Sequence, residues 1–310
     1  MKFNLEEIAD AIPVEALRED IERLNKAGPL VSQGGLDVYV ASADEIPNIL
    51  PEIGLQREIT FRSVGEGVGR ARDNDHYDDY YLQLFLWDRE NERVAGGYRM
   101  GRTDIIIKEH GFDALYTATH SKLDQSLIDY LNPGLELGRS WIHPDYQKSL
   151  HSLLGLWKGL GAFAARHPQY HKFFGGVSIS NDYTTISKNL MVKFLRRTNR
   201  SEKWSRSLQA RIPFNEVADD LTSGIASIEE CSAQVSALEP DGKGVPVLLR
   251  QYLKLNATLF DFSVDPLFQD ALHAMVLVDL RVAPSLLLKK YMGQEGYTRF
   301  SEGVVEGGWA

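Results

Sequence analysis

Among 310 residues there is one cysteine, Cys231. An intramolecular disulfide is therefore excluded, no Cys/His zinc spacing exists, and a reducing cytoplasm is the expected compartment. The thiol itself reads as a small buried hydrophobe. Long apolar runs are also missing. The best stretch, residues 271–288, is interrupted by His273, Asp279, Arg281 and Pro284, short of the roughly 18 apolar residues that span a bilayer. The first residues, Met1-Lys2-Phe3-Asn4-Leu5-Glu6-Glu7, are acidic and lack a signal-peptide core. There is no excess of positive charge either. A formal net charge of -9 argues against a surface built for nucleic acid. The Gly-x-Ser-x-Gly elbow of serine hydrolases is absent. The acidic run at residues 73–79 lacks the glycine and terminal glutamate of an EF-hand, and no metal is expected.

What remains is ordinary for a soluble globular chain, with 43% hydrophobic and 25% charged residues. Ile8, Ile12, Leu17, Ile21 and Leu24 approximate a helical stripe. Leu36, Val38 and Val40 alternate as a strand, and a helix is expected over residues 43–62. A glycine- and aspartate-rich loop follows at 65–79. Strands are expected at 81–87, 94–102, 135–142, 173–179, 257–262 and 274–279, with helices at 147–166 and 183–196. This order suits an α/β (α+β) chain, a mixed sheet with helices on both faces. Four stretches are expected: a helical extension at 1–35, a core at 36–200, a polar inserted segment at 201–244, and strands at 245–310 that complete the core.

Charged residues inside otherwise ordered segments mark the candidate site, because burying a charge is costly unless it is paired or used. Glu136 and Arg139 lie three apart in the strand Leu135 to Ile142. Arg57 and Phe61 lie four apart and share one face of the helix before the glycine-rich loop. Asp75 and Asp78 lie three apart, and Arg99 sits in Gly97-Tyr98-Arg99. Each has a plainer reading: a surface arginine, a solvated acidic loop, a structural salt bridge between Glu136 and Arg99 or Arg57.

In order and approximate spacing these residues resemble the acyl-homoserine lactone (autoinducer) synthases. Over residues 38–194 the chain is more similar to the ornithine-lipid, or hemolysin-like, N-acyltransferases. Both groups belong to the GNAT superfamily, and the resemblance implies a largely antiparallel central sheet. It also implies transfer of a long acyl chain, 3-hydroxylated or plain, from a carrier thioester to the α-amine of an amino acid, in aminolipid biosynthesis. A separate O-acyltransferase would then complete the lipid. An autoinducer synthase and a silent GNAT scaffold for carriers or membranes are the rival readings.

Roles follow from that resemblance. Arg57, Phe61, Asp75, Asp78, Arg99 and Arg139 would enclose the amine acceptor. Glu136 would take the ammonium proton, with His143 as a second base and Tyr183 protonating the departing thiolate. The backbone around Trp141 and Ile142, with Asn181, would hold the thioester. Ordinary acetyltransferases cradle pyrophosphate on a glycine pair at a helix N-terminus. Here Gln147-Lys148-Ser149-Leu150-His151-Ser152 has none, which favours an acyl carrier protein over coenzyme A as donor. The basic stretch containing Lys193, Arg196, Arg197 and Arg200 has only Glu202 beside it as a local counter-charge. It reads as a docking surface for an acidic carrier or anionic headgroups, on a cytoplasmic protein that visits the inner membrane face.

Overall fold

The computed structural model describes residues 5–217 and 222–304. Helix α1 (Val14–Leu24) and strand β1 (Val31–Gln33) precede β2 (Leu36–Ala41), helix α2 (Ile49–Arg62) and the hairpin of β3 (Leu82–Asp88) and β4 (Arg93–Arg102). Next come α3 (Thr103–His110), α4 (Thr117–His120), β5 (Ser121–Leu123) and α5 (Gln125–Leu131). Strand β6 (Leu135–Ile142), α6 (Leu150–Arg166), β7 (Lys172–Ile179) and α7 (Thr185–Thr198) follow. The chain continues through β8 (Leu208–Ala210), α8 (Ile228–Leu238), α9 (Val247–Lys254), β9 (Thr258–Asp265), β10 (Ala271–Asp279) and α10 (Ser285–Glu302).

Eight strands form one sheet in the order β1-β2-β3-β4-β6-β7-β10-β9, and β5 pairs with β8 in a separate ribbon. Every pairing is antiparallel except β6 with β7, which α6 connects as a crossover. The sheet is thus mixed and largely antiparallel, as expected. Its two faces follow from period-two alternation. Leu36, Val38 and Val40 point into the core beneath α6, while Tyr39 and Ala41 pack with Leu17 and Ile21 of α1 and Ile53 of α2. Helix α6 lies close to the sheet because Gly159 has no side chain: a Cβ there would come within 2.5 Å of Val38.

Two expected boundaries move. The first helix begins at Val14 rather than near Ile8, and residues 43–45 form a separate 3-10 turn before α2. The reason for the second is visible. Buried Asp20 of α1 accepts from the backbone N–H groups of Asn48 and Ile49 at 2.8 Å each, so it caps α2 from a distance. Strands β9 and β10 join the same sheet as β2–β4. Within 201–244, β8 and α8 are ordered elements, and Cys231 of α8 is fully buried, its thiol pushed up to about 12 by that burial. Among the described residues no helix is long and apolar enough to cross a membrane.

Candidate active site

Strands β6 and β7 pair only at Leu135–Phe173 and Glu136–Phe174 and then part. At the parting point the backbones nearly touch, since a Cβ on Gly175 would lie 2.1 Å from the Leu137 carbonyl oxygen. On its other side β6 carries one extra residue relative to β4, between the Gly97–Trp141 and Arg99–Gly138 pairs. That bulge places Arg139 at φ 46°, a left-handed conformation that re-aims its side chain. The separation opens a cleft of about 590 Å³, lined by Phe61, Glu66, Trp141, Ile142, Ser178 and Tyr183 among others. A smaller cavity of about 40 Å³ lies deeper, against Arg99, Tyr116, Glu136, Arg139 and His273. Phe61 and Ser178 line both spaces, so the two adjoin.

Three arginines and three aspartates meet below the cleft. Arg57, fully buried on α2, binds Asp78 through both terminal nitrogens, at 3.0 and 2.7 Å, and lies 3.3 Å from Asp73. Arg99 reaches Asp75 at 2.5 Å and Asp78 at 3.3 Å. Arg139 pairs with Asp73 at 2.8 Å and Asp75 at 3.4 Å. The aspartates are set by a local device: Asp75 caps the turn His76–Asp79, and its own N–H donates to Asp78. Burial alone would raise the Asp78 carboxyl, but Arg57 and Arg99 outweigh it and hold the group well below the usual carboxylate range. Aromatic rings wall the cations in, with Arg139 5.0 Å from the Tyr116 ring centroid and 5.1 Å from that of Phe268. The cluster is charge-balanced, so here the aspartates neutralise the arginines. Asp73, read from the sequence only as part of an acidic run, is a full member.

Glu136 differs from expectation. Its carboxylate does not pair with Arg57 or Arg99, which are committed to the aspartates. Instead it accepts from the hydroxyls of Tyr81 and Thr117, and from the N–H groups of Tyr116 at 2.9 Å and Thr117 at 2.5 Å. Both oxygens are filled, and the group fastens the start of α4 to the sheet. These four donors take the place of the expected salt bridge to Arg99 or Arg57, and they give the carboxylate a structural role.

Other expected residues divide. Trp141 and Ile142 line the cleft, and beyond Glu136 the β7-facing edge of β6 has no ladder partner in the register. Tyr183 lines it as well. Its hydroxyl donates to the Gly244 carbonyl at 2.7 Å, and burial pushes the phenol up to about 12. Asn181 does not line the cleft. It is exposed, accepts from Lys188 at 2.5 Å, and its neighbours Ser180 and Asp182 take the lining positions. His143 also lies outside both spaces, with its Nδ1 2.9 Å from Arg93 and 3.2 Å from the Asp145 N–H. Burial and Arg93 push its imidazole down, and it acts as a fixture of the turn after β6.

The basic stretch has counter-charges that lie beyond its sequence neighbourhood. Arg196 is ion-paired with Glu216 and with Asp261 at 2.6 Å, and Asp261 lies 3.8 Å from Arg200. Arg197 donates to the carbonyls of Thr222 (at 2.7 Å) and Ile225. Lys193 likewise has an interaction partner. Counter-charges far away in sequence were invisible locally, and these arginines brace the fold. Trp157 and Phe163 belong to the core, while Phe173 and Phe174 line a small cavity of about 20 Å³.

Two residues escaped the sequence reading. Glu66, in the turn after α2, is 6% exposed and lines the cleft, where it accepts from the Ser178 hydroxyl at 3.0 Å. Burial pushes its carboxyl up to about 7. His273 of β10 lines the deeper cavity, 4.0 Å from Asp265, and its ring centroid is 5.2 Å from that of His120. Burial and Arg139 push this imidazole down, while Asp265 opposes them.

Residues 56–158, which include β3, β4, β6 and the Arg/Asp cluster, match the family model described as the acetyltransferase (GNAT) domain. A glycine N(alpha)-acyltransferase of Phocaeicola vulgatus is 34% identical over 204 residues, which is 62% of this chain and 62% of that protein. A glycine N(alpha)-acyltransferase of Bacteroides thetaiotaomicron is 28% identical over 292 residues, 88% of this chain and 86% of that one. Among solved structures, the CoA-dependent acyl-homoserine lactone synthase BjaI is 12% identical with a TM-score of 0.41, covering 86% of this chain and 100% of that one. Residues 56–158 are thus similar to a GNAT acetyltransferase domain, and the chain spans about 62% of the length of the Phocaeicola vulgatus relative.

Proposed function

We propose that this protein is an N-acyltransferase that moves a long acyl group from a carrier thioester to the α-amine of glycine or a similarly small amino acid. The observation that carries this reading is the separation of β6 from β7, which opens a cleft of about 590 Å³ directly above the Arg/Asp cluster. The unpaired edge of β6 offers backbone donors to the thioester arm and its carbonyl oxygen, where negative charge develops during attack. Phe61, Trp141, Ile142, Val177 and Leu248 supply apolar wall for an acyl chain.

The acceptor reading is supported by size and by the relatives. The deeper cavity is much smaller than the cleft and is walled by Tyr81, Tyr116 and Phe268, which favours a small acceptor. The relatives from Phocaeicola vulgatus and Bacteroides thetaiotaomicron carry glycine in their names. Arg139 and Arg99 border that cavity and would face the acceptor carboxylate, each with its charge already partly spent on aspartates. Tyr183 would return a proton to the leaving sulfur once its bond to the Gly244 carbonyl breaks. The absence of a glycine pair before α6 supports a carrier-protein donor over coenzyme A. Aminolipid synthesis, with 3-hydroxylated or plain chains, is the pathway class such a product would enter.

The test is a panel of amino acids offered with acyl-carrier and acyl-coenzyme A thioesters, read by mass spectrometry. Glycine should yield the most N-acyl product, with serine and alanine weaker and ornithine or lysine weakest. Preference for a large cationic acceptor would contradict the small-acceptor reading, and a lactone formed from S-adenosylmethionine would favour an autoinducer synthase.

A further inference from the structure

We propose that Glu66 is the general base of this acyl transfer, taking the proton from the acceptor amine at the junction of the cleft and the deeper cavity. The inference rests on the acyl-transfer reading above and names a residue for its proton step.

The placement is specific. Ser178 lines both spaces, and its hydroxyl donates to Glu66 at 3.0 Å. The turn that carries Glu66 is pinned on both sides: its own N–H donates to the Phe61 carbonyl at 2.9 Å, and Gln269 donates to the Gly67 carbonyl at 3.0 Å. Further along, Val68 and Gly69 donate to Glu58 at 3.0 and 2.8 Å, and Glu58 is held by Arg62 at 2.7 Å. The carboxylate is therefore preorganised rather than trailing from a loose loop.

Its electrostatics set it apart from the other buried acids near the site. Asp73, Asp78 and Glu58 have arginine partners, and Glu136 has four donors. Among the described residues Glu66 accepts from a single hydroxyl, and the charged group that acts on it is another acid, Asp182. The groups facing it are Asp182 beyond β7, Tyr183 and the Asp241–Lys243 pair across the cleft, and the Glu58–Arg62 pair beneath the turn. Burial without a cation lifts its carboxyl to about 7, the range in which a carboxylate is both available and basic enough to accept a proton. For stability alone this is a poor arrangement, which points to use.

The step balances without an oxidant or reductant. Glu66 takes one proton from the ammonium, and the freed lone pair forms the N–C bond to the thioester carbonyl. The C–S bond then breaks. Of the two protons the nitrogen gives up, one ends on the departing sulfur and the other reaches solvent.

The experiment compares wild type with Glu66→Gln, using glycine and an acyl-carrier thioester, for kcat/KM and thermal unfolding between about pH 5 and 9. In wild type kcat/KM should rise through a limb near pH 7. In Glu66→Gln the limb should vanish and the rate fall by roughly 10²–10⁴. Stability supplies a second readout. A buried acid with a raised folded pKa favours folding when protonated, so wild type should lose stability as pH rises from about 4.3 to about 7. Glu66→Gln should lack that loss and melt no lower than wild type at pH 8. An active wild type with a variant of equal rate and unchanged pH limb would overturn Glu66 as the base and leave the acyl-transfer reading intact. A wild type inactive with every acyl thioester and amine would sink both.

Discussion

Arg57, Arg99 and Arg139 share three aspartates, and none of the six can be removed without stranding charge below the cleft. Arg57→Ala should cost roughly 3–5 kcal/mol, the usual effect of breaking a buried pair, because Asp78 and Asp73 lose a common partner. Asp78 also sets an acid limit. Its folded pKa is depressed, so its contribution is present above the unfolded value of about 3.9 and is lost as pH falls through the folded one. Urea midpoints should therefore drop between about pH 4 and 2, and Asp78→Asn should remove that slope while lowering stability at neutral pH. Glu136→Gln tests a different role. An amide puts N–H groups toward donors that need an acceptor, so melting temperature should fall first, by the equivalent of roughly 1–3 kcal/mol. Activity lost at an unchanged melting temperature would instead return Glu136 to the proton-transfer step. The sequence made these residues legible as a set because charges inside apolar segments stand out. It did not separate Asp73 from its acidic neighbours, and it gave no local sign of Glu66 or His273, whose environments are assembled from β7, β9 and distant turns.

At the level of elements, legibility tracked the strength of the local pattern. The bounds of β6 were read as they are found, since an apolar strand between turn residues has one plausible extent. Helices α3 to α5 were not read at all, being short, with polar Thr, Asp and Gln at their starts. Helix α10 was hidden by Gly293, which sits at φ 74° and kinks it, and by Gly296, which packs against Ala165. The basic end of α7 was legible as charge, but its partners Glu216 and Asp261 lie outside any local window. Reversing Arg196 and Arg197 to Glu should thus lower the melting temperature by breaking the links to Asp261, Thr222 and Ile225. A double variant that keeps its melting temperature, yet weakens use of a carrier-bound donor at low salt, would support a docking role for this stretch. Asp20→Ala provides an independent check on the cap of α2. Leaving the Asn48 and Ile49 N–H groups without their carboxylate acceptor should destabilise by about 1–2 kcal/mol and displace Arg57 and Phe61, which α2 carries.

On the scale of the whole molecule, one parallel strand pair in an otherwise antiparallel sheet creates the site. The sheet must part where β6 and β7 lose register, and everything placed there faces a common cleft: unpaired backbone from β6, Ser178 from β7, Phe61 from α2, Glu66 from the turn after it. The account's central claim is that a thioester enters between the strands and leaves its acyl group on a small amine. The direct measurement is formation of labelled N-acyl product from ¹⁵N-glycine and a long-chain acyl-carrier thioester, in wild type and in Val177→Trp. Val177 lines the cleft, and tryptophan would fill the space the thioester needs. Wild type should release one thiol for each amide formed, and Val177→Trp should form neither while remaining folded, though overpacking the core lowers its melting temperature. Release of free fatty acid without amide, or an unimpaired Val177→Trp, would contradict the account.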